Sequence, residues 1–210
     1  MTPKIIHLIG PDTLPAWFAP NVENTRAVNP DWTVMYTGDT AALQFIRDFY
    51  GEDMLRLYLR INPEYGAARA DLLRYLLVYH YGGVYMDLKV KAVRPFNKTL
   101  PQGTDLVAID LGDNVLRQWF LAGPPSCHAL SEVVPAVMGR IEGYFGRVGH
   151  AGVWDTTGPV VFTEAVSRCD GVIGMPPGKA GVEYTFVKHP TAHYGALGVH
   201  YSRLRSPIVL

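Results

Sequence analysis

Cysteine is scarce. The 210 residues hold two, Cys127 and Cys169, and no Cys-x-x-Cys pair, which argues against a zinc knuckle or a redox motif. Two free thiols in a reducing compartment is the plain reading. Charge of either sign is not in excess: 19 Lys+Arg face 19 Asp+Glu, so nothing marks a nucleic-acid or membrane-surface binder, and any anion site must come from a few placed groups. No apolar run approaches the roughly 18–20 residues that span a bilayer, and the apolar part of MTPKIIHLIGP is too short for a secretory signal. The expectation is a cytoplasmic protein, or a soluble piece of something larger. The phosphate loops GxGxxG and GxxxxGK[ST] are missing, which disfavours a Rossmann dehydrogenase or a P-loop enzyme. GxSxG, the usual hydrolase elbow, is missing too.

What remains is rich in apolar residues: 48% are hydrophobic, enough for a full core in a single domain over 1–210. Lys4 to Ile9 reads as a buried strand, and Trp32 to Thr37 as another after the turn Asn29-Pro30-Asp31. Asp39 or Thr40 caps a helix that stops at Gly51, and Met54, Leu57, Tyr58 and Ile61 suggest a further short helix. Asn62-Pro63-Glu64 is a helix-start signal, and Tyr65 to Tyr81 is apolar nearly all round, as in a buried helix. After Gly82-Gly83, Val84 to Val90 reads as one strand. Further strands are expected at 104–110, 116–122 and 172–175, and helices at 129–141 and 158–168, the last opened by Asp155-Thr156-Thr157. The segment 184–201 gives no clear assignment. Strands alternating with helices predict an α/β domain with a mostly parallel central sheet flanked by helices.

Chemistry concentrates in two places. On the greasy helix, Asp71 and Arg74 are three apart and share a stripe with Ala67 and Val78. An intrahelical ion pair tying the helix to a loop would explain them. So would a site in which Asp71 accepts hydroxyl hydrogen bonds and Arg74 offers its planar fork to a phosphate. Strand alternation then puts Tyr85, Asp87 and Lys89 on one face at ~6.5–7 Å intervals. A solvated edge strand would give the same pattern. A cleft at the carboxyl end of a sheet strand, lined by acids and bases, suits a ligand that combines hydroxyls with phosphates, such as a nucleotide sugar. His189-Pro190-Thr191-Ala192-His193 has two histidines four apart, but Pro190 argues against a helical metal site. Asp110 and Asp155 sit near element ends and read as caps before they read as catalysts.

These residues resemble a known family. Ala67-Ala68-Arg69-Ala70-Asp71-Leu72-Leu73-Arg74-Tyr75, followed by Tyr81-Gly82-Gly83-Val84-Tyr85-Met86-Asp87, is similar to the AxxSDxLRYxxLxxxGGxYxDxD signature of GT-A-type glycosyltransferases. These are the family 32 sugar transferases, related to initiating α-1,6-mannosyltransferases and to large clostridial glucosylating toxins. Pro3-Lys4-Ile5-Ile6-His7 resembles the family's opening PKIIHxIW, and Asn29-Pro30-Asp31-Trp32 its NPdW. The compact form is similar to members from large DNA viruses and bacteria; a viral member would work in the host cytoplasm.

The resemblance implies a GT-A-like fold and transfer of a sugar, with retention, from a nucleoside diphosphate donor of the uridine class to a glycan or other hydroxyl acceptor. A non-catalytic nucleotide-sugar binding module is the alternative. The resemblance also implies roles. Asp71 would bind donor-sugar hydroxyls, Arg74 the sugar or diphosphate, and Tyr85 would lie beside the ribose or sugar. Gly83 would belong to the substrate-binding set, and the strand end His7-Leu8-Ile9 would present backbone groups to the base. Asp87 would touch ribose and metal. Where the family has its second acid this chain has Lys89, which cannot ligate while charged. Either Asp87 and His200 hold Mn²⁺ or Mg²⁺, or Lys89 itself neutralises part of the diphosphate.

Overall fold

The first strand is buried on both faces, as its mostly apolar sequence, broken only by His7, predicts. In β1 (Ile5–Ile9), Ile6 and Leu8 point into one core and His7 into the opposite layer, all of them buried. The computed structural model describes residues 1–184 and 200–210. Helix α1 (Ala19–Val28) leads to β2 (Thr33–Thr37), which pairs parallel to β1. Helix α2 (Asp39–Arg60) is two helices joined at Gly51, whose φ of 81° and ψ of 178° break the run where the sequence places a stop. Helix α3 (Gly66–Tyr81) is buried along most of its length, and β3 (Gly83–Met86) returns parallel to β1.

The chain continues through β4 (Val90–Ala92), α4 (Phe96–Thr99), β5 (Leu106–Asp110), β6 (Leu116–Gly123), α5 (His128–Glu142), α6 (Gly149–Thr156), α7 (Pro159–Val166), β7 (Val172–Met175), α8 (Pro177–Ala180) and β8 (Val182–Tyr184). The six-stranded sheet has the order β2-β1-β3-β6-β5-β7. Only β6 opposes the common direction, being antiparallel to both β3 and β5. The mostly parallel expectation therefore fits. That one reversed strand carries its N-terminal residues to the C-terminal end of β3. Two cores flank the sheet. One packs Tyr85, Ala108 and Leu121 against α3, α5 and α7; the other packs Ile6, Val84, Met86 and Phe120 against α1 and the β4–β8 ribbon. Among the described residues no helix is long and apolar enough to cross a membrane.

The glycine pair after α3 has a steric reason. Gly82 and Gly83 have φ of 65° and 97°, which L side chains rarely adopt. A Cβ on Gly83 would meet the Ile5 carbonyl oxygen at 2.5 Å, so β3 could not lie against β1.

Four expectations change. Neither Asp39 nor Thr40 caps α2: its N-cap is Gly38, and both lie in its first turn. Val84 to Val90 is not one strand. The Asp87 amide donates to the Trp119 carbonyl at 2.9 Å and the Val90 amide donates to the Asp87 carbonyl at 2.8 Å, so Asp87 to Val90 is a turn. Beyond it, β4 leaves the main sheet and pairs with β8. Asn62 does not cap α3: its side chain accepts from the Glu64 amide and donates to the Pro207 carbonyl, tying down the C-terminal segment. Asp155-Thr156-Thr157 closes α6 rather than opening α7. Helix α6 itself is hidden in the sequence by Gly149 and Gly152. A Cβ on Gly152 would meet Ile208 at 2.5 Å and the Arg147 carbonyl at 2.6 Å, so packing demands a poor helix former there.

Candidate active site

A cleft of about 570 Å³ opens at the C-terminal end of β3. Helix α3 supplies Ala67, Asp71 and Arg74 to it, one stripe at helical spacing. The turn after β3 supplies Asp87 and Lys89, and the start of β6 supplies Arg117 to Trp119. His150 and Trp154 come from α6, and His200 and Tyr201 from the C-terminal segment. Asp71, Arg74, Asp87, Lys89 and His200, scattered over 130 positions of sequence, thus share one cavity.

Arg74 is the hub. Its side chain is 6% exposed and it lies 3.0 Å from the Asp71 carboxylate and 3.4 Å from Asp87 Oδ1. Its Nη1 also donates to the Gln118 carbonyl at 3.0 Å, its Nε donates to the Ala70 carbonyl at 3.1 Å, and its guanidinium carbon sits 4.6 Å from the centre of the Tyr85 ring. Burial alone would push its pKa down, but the surrounding acids and phenols outweigh that and hold it protonated.

Asp71 is as deeply placed. Gln118 Nε2 donates to its Oδ1 at 3.2 Å and Thr157 Oγ1 donates to its Oδ2 at 2.9 Å. Burial pushes its pKa up to about 7, against the pull of Arg74 and Thr157. Asp87 is more open, with a side chain 27% exposed. The Tyr85 hydroxyl donates to its Oδ1 at 2.6 Å. Both contacts fall on Oδ1, leaving Oδ2 without a partner among the described residues. Tyr85 is 1% exposed and lies beneath Arg74, so it braces Asp87 from below rather than facing the cavity.

His7, Leu8, Ile9 and Gly83 are not in the cavity lining. The His7 ring is buried, stacks on Tyr81 and donates from Nε2 to the Gly82 carbonyl at 2.9 Å; burial lowers its pKa, so it is neutral and its Nδ1 has no partner among the described residues. It holds the glycine turn in place. The β1 ladder to β3 stops at the pair His7–Tyr85, so Leu8 and Ile9 have no β3 partner. Asp110 and Asp155 hold local structure: Asp110 accepts from the Gly112 amide, and Asp155 pairs with Arg147. The histidines at 189 and 193 lie outside the described residues.

The opposite wall carries no recognisable motif. His150 lies tilted against Trp154 at 4.7 Å and nearly parallel to Tyr201 at 6.2 Å. The Arg117 guanidinium, paired with Asp113, sits 5.0 Å from the Trp154 ring. Burial pushes the Tyr201 hydroxyl up to about 12, so it stays a neutral phenol. The one available signal was a Trp and a His four apart, 150 and 154, which the neighbouring glycines obscured.

A divalent cation fits these residues poorly. His200 Nδ1 is engaged locally, 2.7 Å from the Ser202 hydroxyl oxygen and 3.3 Å from the Ser202 amide nitrogen. That leaves Asp87 as the available acid, two residues from the Lys89 ammonium in the same turn. Among the described residues no group of three His, Cys, Asp or Glu side chains is placed to hold an ion.

Residues 15–105 match the glycosyltransferase sugar-binding region containing DXD motif. The matched stretch covers α3, Asp87 and Lys89. Inositol phosphoceramide mannosyltransferase 1 of Schizosaccharomyces pombe is 28% identical over 126 residues, 58% of this chain and 39% of that protein. Mannosyl phosphorylinositol ceramide synthase CSH1 of Saccharomyces cerevisiae is 33% identical over 91 residues, 42% of this chain and 23% of that one. The chain thus spans well under half the length of these curated relatives. Two solved structures share its GT-A fold. PaToxG glycosyltransferase superposes with a TM-score of 0.57 at 19% identity, covering 80% of this chain and 68% of that one. The UDP-bound glycosyltransferase domain from the YGT toxin superposes with a TM-score of 0.57 at 10% identity, covering 88% and 81%. The sugar-binding region is named for two acids, yet no Asp-x-Asp occurs in this sequence; Asp87-Leu88-Lys89 stands in its place.

Proposed function

We propose that the chain is a glycosyltransferase that moves a sugar from a nucleoside diphosphate donor to an acceptor hydroxyl. One observation carries this: the buried Asp71–Arg74–Asp87 array opens into a cleft at the carboxyl end of β3, inside a region matching glycosyltransferase sugar-binding sequences. A nucleotide sugar offers hydroxyls and phosphates together, and the cleft offers carboxylates beside cations.

In this reading Asp71, fixed by Gln118 and Thr157, accepts hydrogen bonds from sugar hydroxyls. Asp87 Oδ2 takes ribose or sugar hydroxyls, steadied from below by Tyr85. Arg74 keeps the two carboxylates apart and in register. The reaction breaks the bond between the anomeric carbon and the diphosphate oxygen, which keeps the electron pair. The acceptor oxygen bonds that carbon with retention, and its proton ends on the released nucleoside diphosphate. Charge develops on the departing diphosphate, so the groups that matter most are the cations facing it. The backbone of Leu8 and Ile9, beyond the β3 ladder, is the proposed contact for the base.

A uridine nucleotide is the first donor to try, because a fold neighbour is a UDP-bound domain. Mannose is a candidate sugar and an inositol phosphoceramide a candidate acceptor, because relatives are named for them. The test is donor hydrolysis and transfer across a panel of UDP- and GDP-sugars. Nucleotide release that Asp87→Asn abolishes supports the enzyme. Tight binding of a nucleotide sugar with no turnover against any acceptor or water would favour the binding-module alternative.

A further inference from the structure

The departure at position 89 has an electrostatic meaning that the cleft makes explicit. Replacing a carboxylate by an ammonium changes the charge of a site by two positive units. That is the charge a bound divalent cation would add. The cavity lining shows the result: among the described residues, Arg74, Lys89 and Arg117 stand with Asp71 and Asp87. Both of those acids are in contact with Arg74. A site whose charged lining carries no net negative charge has weak attraction for a cation and strong attraction for a polyanion. His200 Nδ1 is already engaged by Ser202, through both its hydroxyl and its amide.

The turn geometry points the same way. Asp87 and Lys89 occupy the first and third positions of a turn closed by the Val90 amide and the Asp87 carbonyl, 2.8 Å apart. Both line the cavity, so a diphosphate beside Asp87 lies within the field of the Lys89 ammonium. Arg117, on the neighbouring strand β6, is held by Asp113 and lies over the Trp154 ring.

We propose that the donor's diphosphate is bound and stabilised without a divalent cation, the Lys89 ammonium supplying the charge that a metal ion would supply and Arg117 supporting it from the facing wall. This rests on the nucleotide-sugar reading of the cleft. Lys89 is then a catalytic residue, touching the leaving group. A lysine is a compact point charge on a flexible stem, so it can follow the diphosphate as the glycosidic bond breaks.

Calorimetric binding of UDP and of GDP, each in EDTA and in Mn²⁺, tests it. For whichever nucleotide binds, the wild-type dissociation constant should agree within about threefold between the two conditions, under 1 kcal/mol. Lys89→Ala should weaken binding in EDTA by about tenfold or more, a loss of about 1.4 kcal/mol. Lys89→Asp should lose binding in EDTA and regain it with Mn²⁺, and should bind Mn²⁺ without nucleotide where wild type does not. Lys89 lies on a partly exposed turn, and unliganded melting temperatures of both variants, measured alongside, separate folding from binding. Nucleotide binding that requires Mn²⁺ in the wild type overturns the inference and leaves the glycosyltransferase reading standing. So does unchanged affinity in Lys89→Ala. No binding of either nucleotide under any condition overturns both.

Discussion

Arg74→Ala should be the most damaging single substitution in the cleft, and the size of the loss is calculable from its contacts. It removes an ion pair to Asp71 at 3.0 Å, a longer one to Asp87 at 3.4 Å, two hydrogen bonds to carbonyls and the contact with the Tyr85 face. Breaking a buried ion pair by deleting one partner costs about 3–5 kcal/mol, because the other charge stays buried and unpaired. For a chain of this size that is a fall of about 6–20 °C in melting temperature. The loss depends on pH with a definite sign. Without Arg74 the Asp71 carboxyl rises further above the ordinary range, so it protonates and escapes the penalty in acid. The deficit should be larger at pH 8 than at pH 5. Asp71→Asn alone should cost less, since Arg74 keeps Asp87. In the double variant the two losses should fall short of their sum by about 0.5–3 kcal/mol, the coupling expected of residues in one network. Thermal and urea unfolding of the four proteins completes the cycle. Additive losses, or a deficit that does not change with pH, would mean that the pair is not the buried unit described.

Asp87→Asn should leave the melting temperature nearly unchanged and lower turnover at least about tenfold, or ~1.4 kcal/mol of barrier; a variant retaining more than that removes Asp87 from the chemistry. Asp71 itself sets a pH slope: its folded pKa is raised, so the stability it contributes is present below the usual carboxylate range and lost as pH rises through about 7. His7, lowered by burial, pulls the opposite way below its ordinary pKa, so the readout is the wild-type melting curve minus that of Asp71→Asn between pH 5 and 8, which should fall; a flat difference refutes the burial argument. Tyr65→Phe should cost about 1–3 kcal/mol and weaken nucleotide binding, because the Tyr65 hydroxyl donates to the Ser206 carbonyl at 2.8 Å and accepts from the Gly149 amide at 3.1 Å, anchoring the segment that carries His200 and Tyr201. Normal affinity in a destabilised Tyr65→Phe would make that anchor purely structural.

Periodicity made the half of the site on α3 legible. Asp71 and Arg74 stand out because charged residues on a helix buried all round need a partner, and each is the other's. The break after Met86 was not legible. Val84, Met86, Leu88 and Val90 all pack in one core, so the alternation persists although the strand ends; a turn that keeps the apolar residues on one side looks like a strand in sequence. The wall from β6 and α6 was invisible for another reason. Arg117 has a local partner in Asp113, but its contact with Trp154 and that of Gln118 with Asp71 span tens of residues, and α6 has a glycine at 152 where close packing on Ile208 and Arg147 leaves no room for a side chain. His7 misleads in the other direction. A histidine in a buried strand suggests function, but its bond to the Gly82 carbonyl serves the glycine turn that aims Asp87.

The two interpretations of the Asp71–Arg74 pair, internal ion pair and ligand site, are not exclusive once Asp87 is included. Arg74 satisfies a carboxylate on each side with one cation, and that is what lets two acids coexist at the floor of a cleft. An acid already matched to a fixed internal cation has less to offer a metal but can still accept from hydroxyls, whose approach brings no charge. The floor is then suited to sugar and the rim, where Lys89 and Arg117 stand, to phosphate. The pairing also explains why Lys89 cannot substitute for Arg74: an ammonium has no planar fork to bridge two carboxylates and a carbonyl together. Arg74→Lys should therefore behave like a milder Arg74→Ala in unfolding. Its nucleotide affinity should change little, since the diphosphate contacts lie at the rim. A large loss of UDP or GDP binding in a stably folded Arg74→Lys would move the phosphate contact from Lys89 to Arg74.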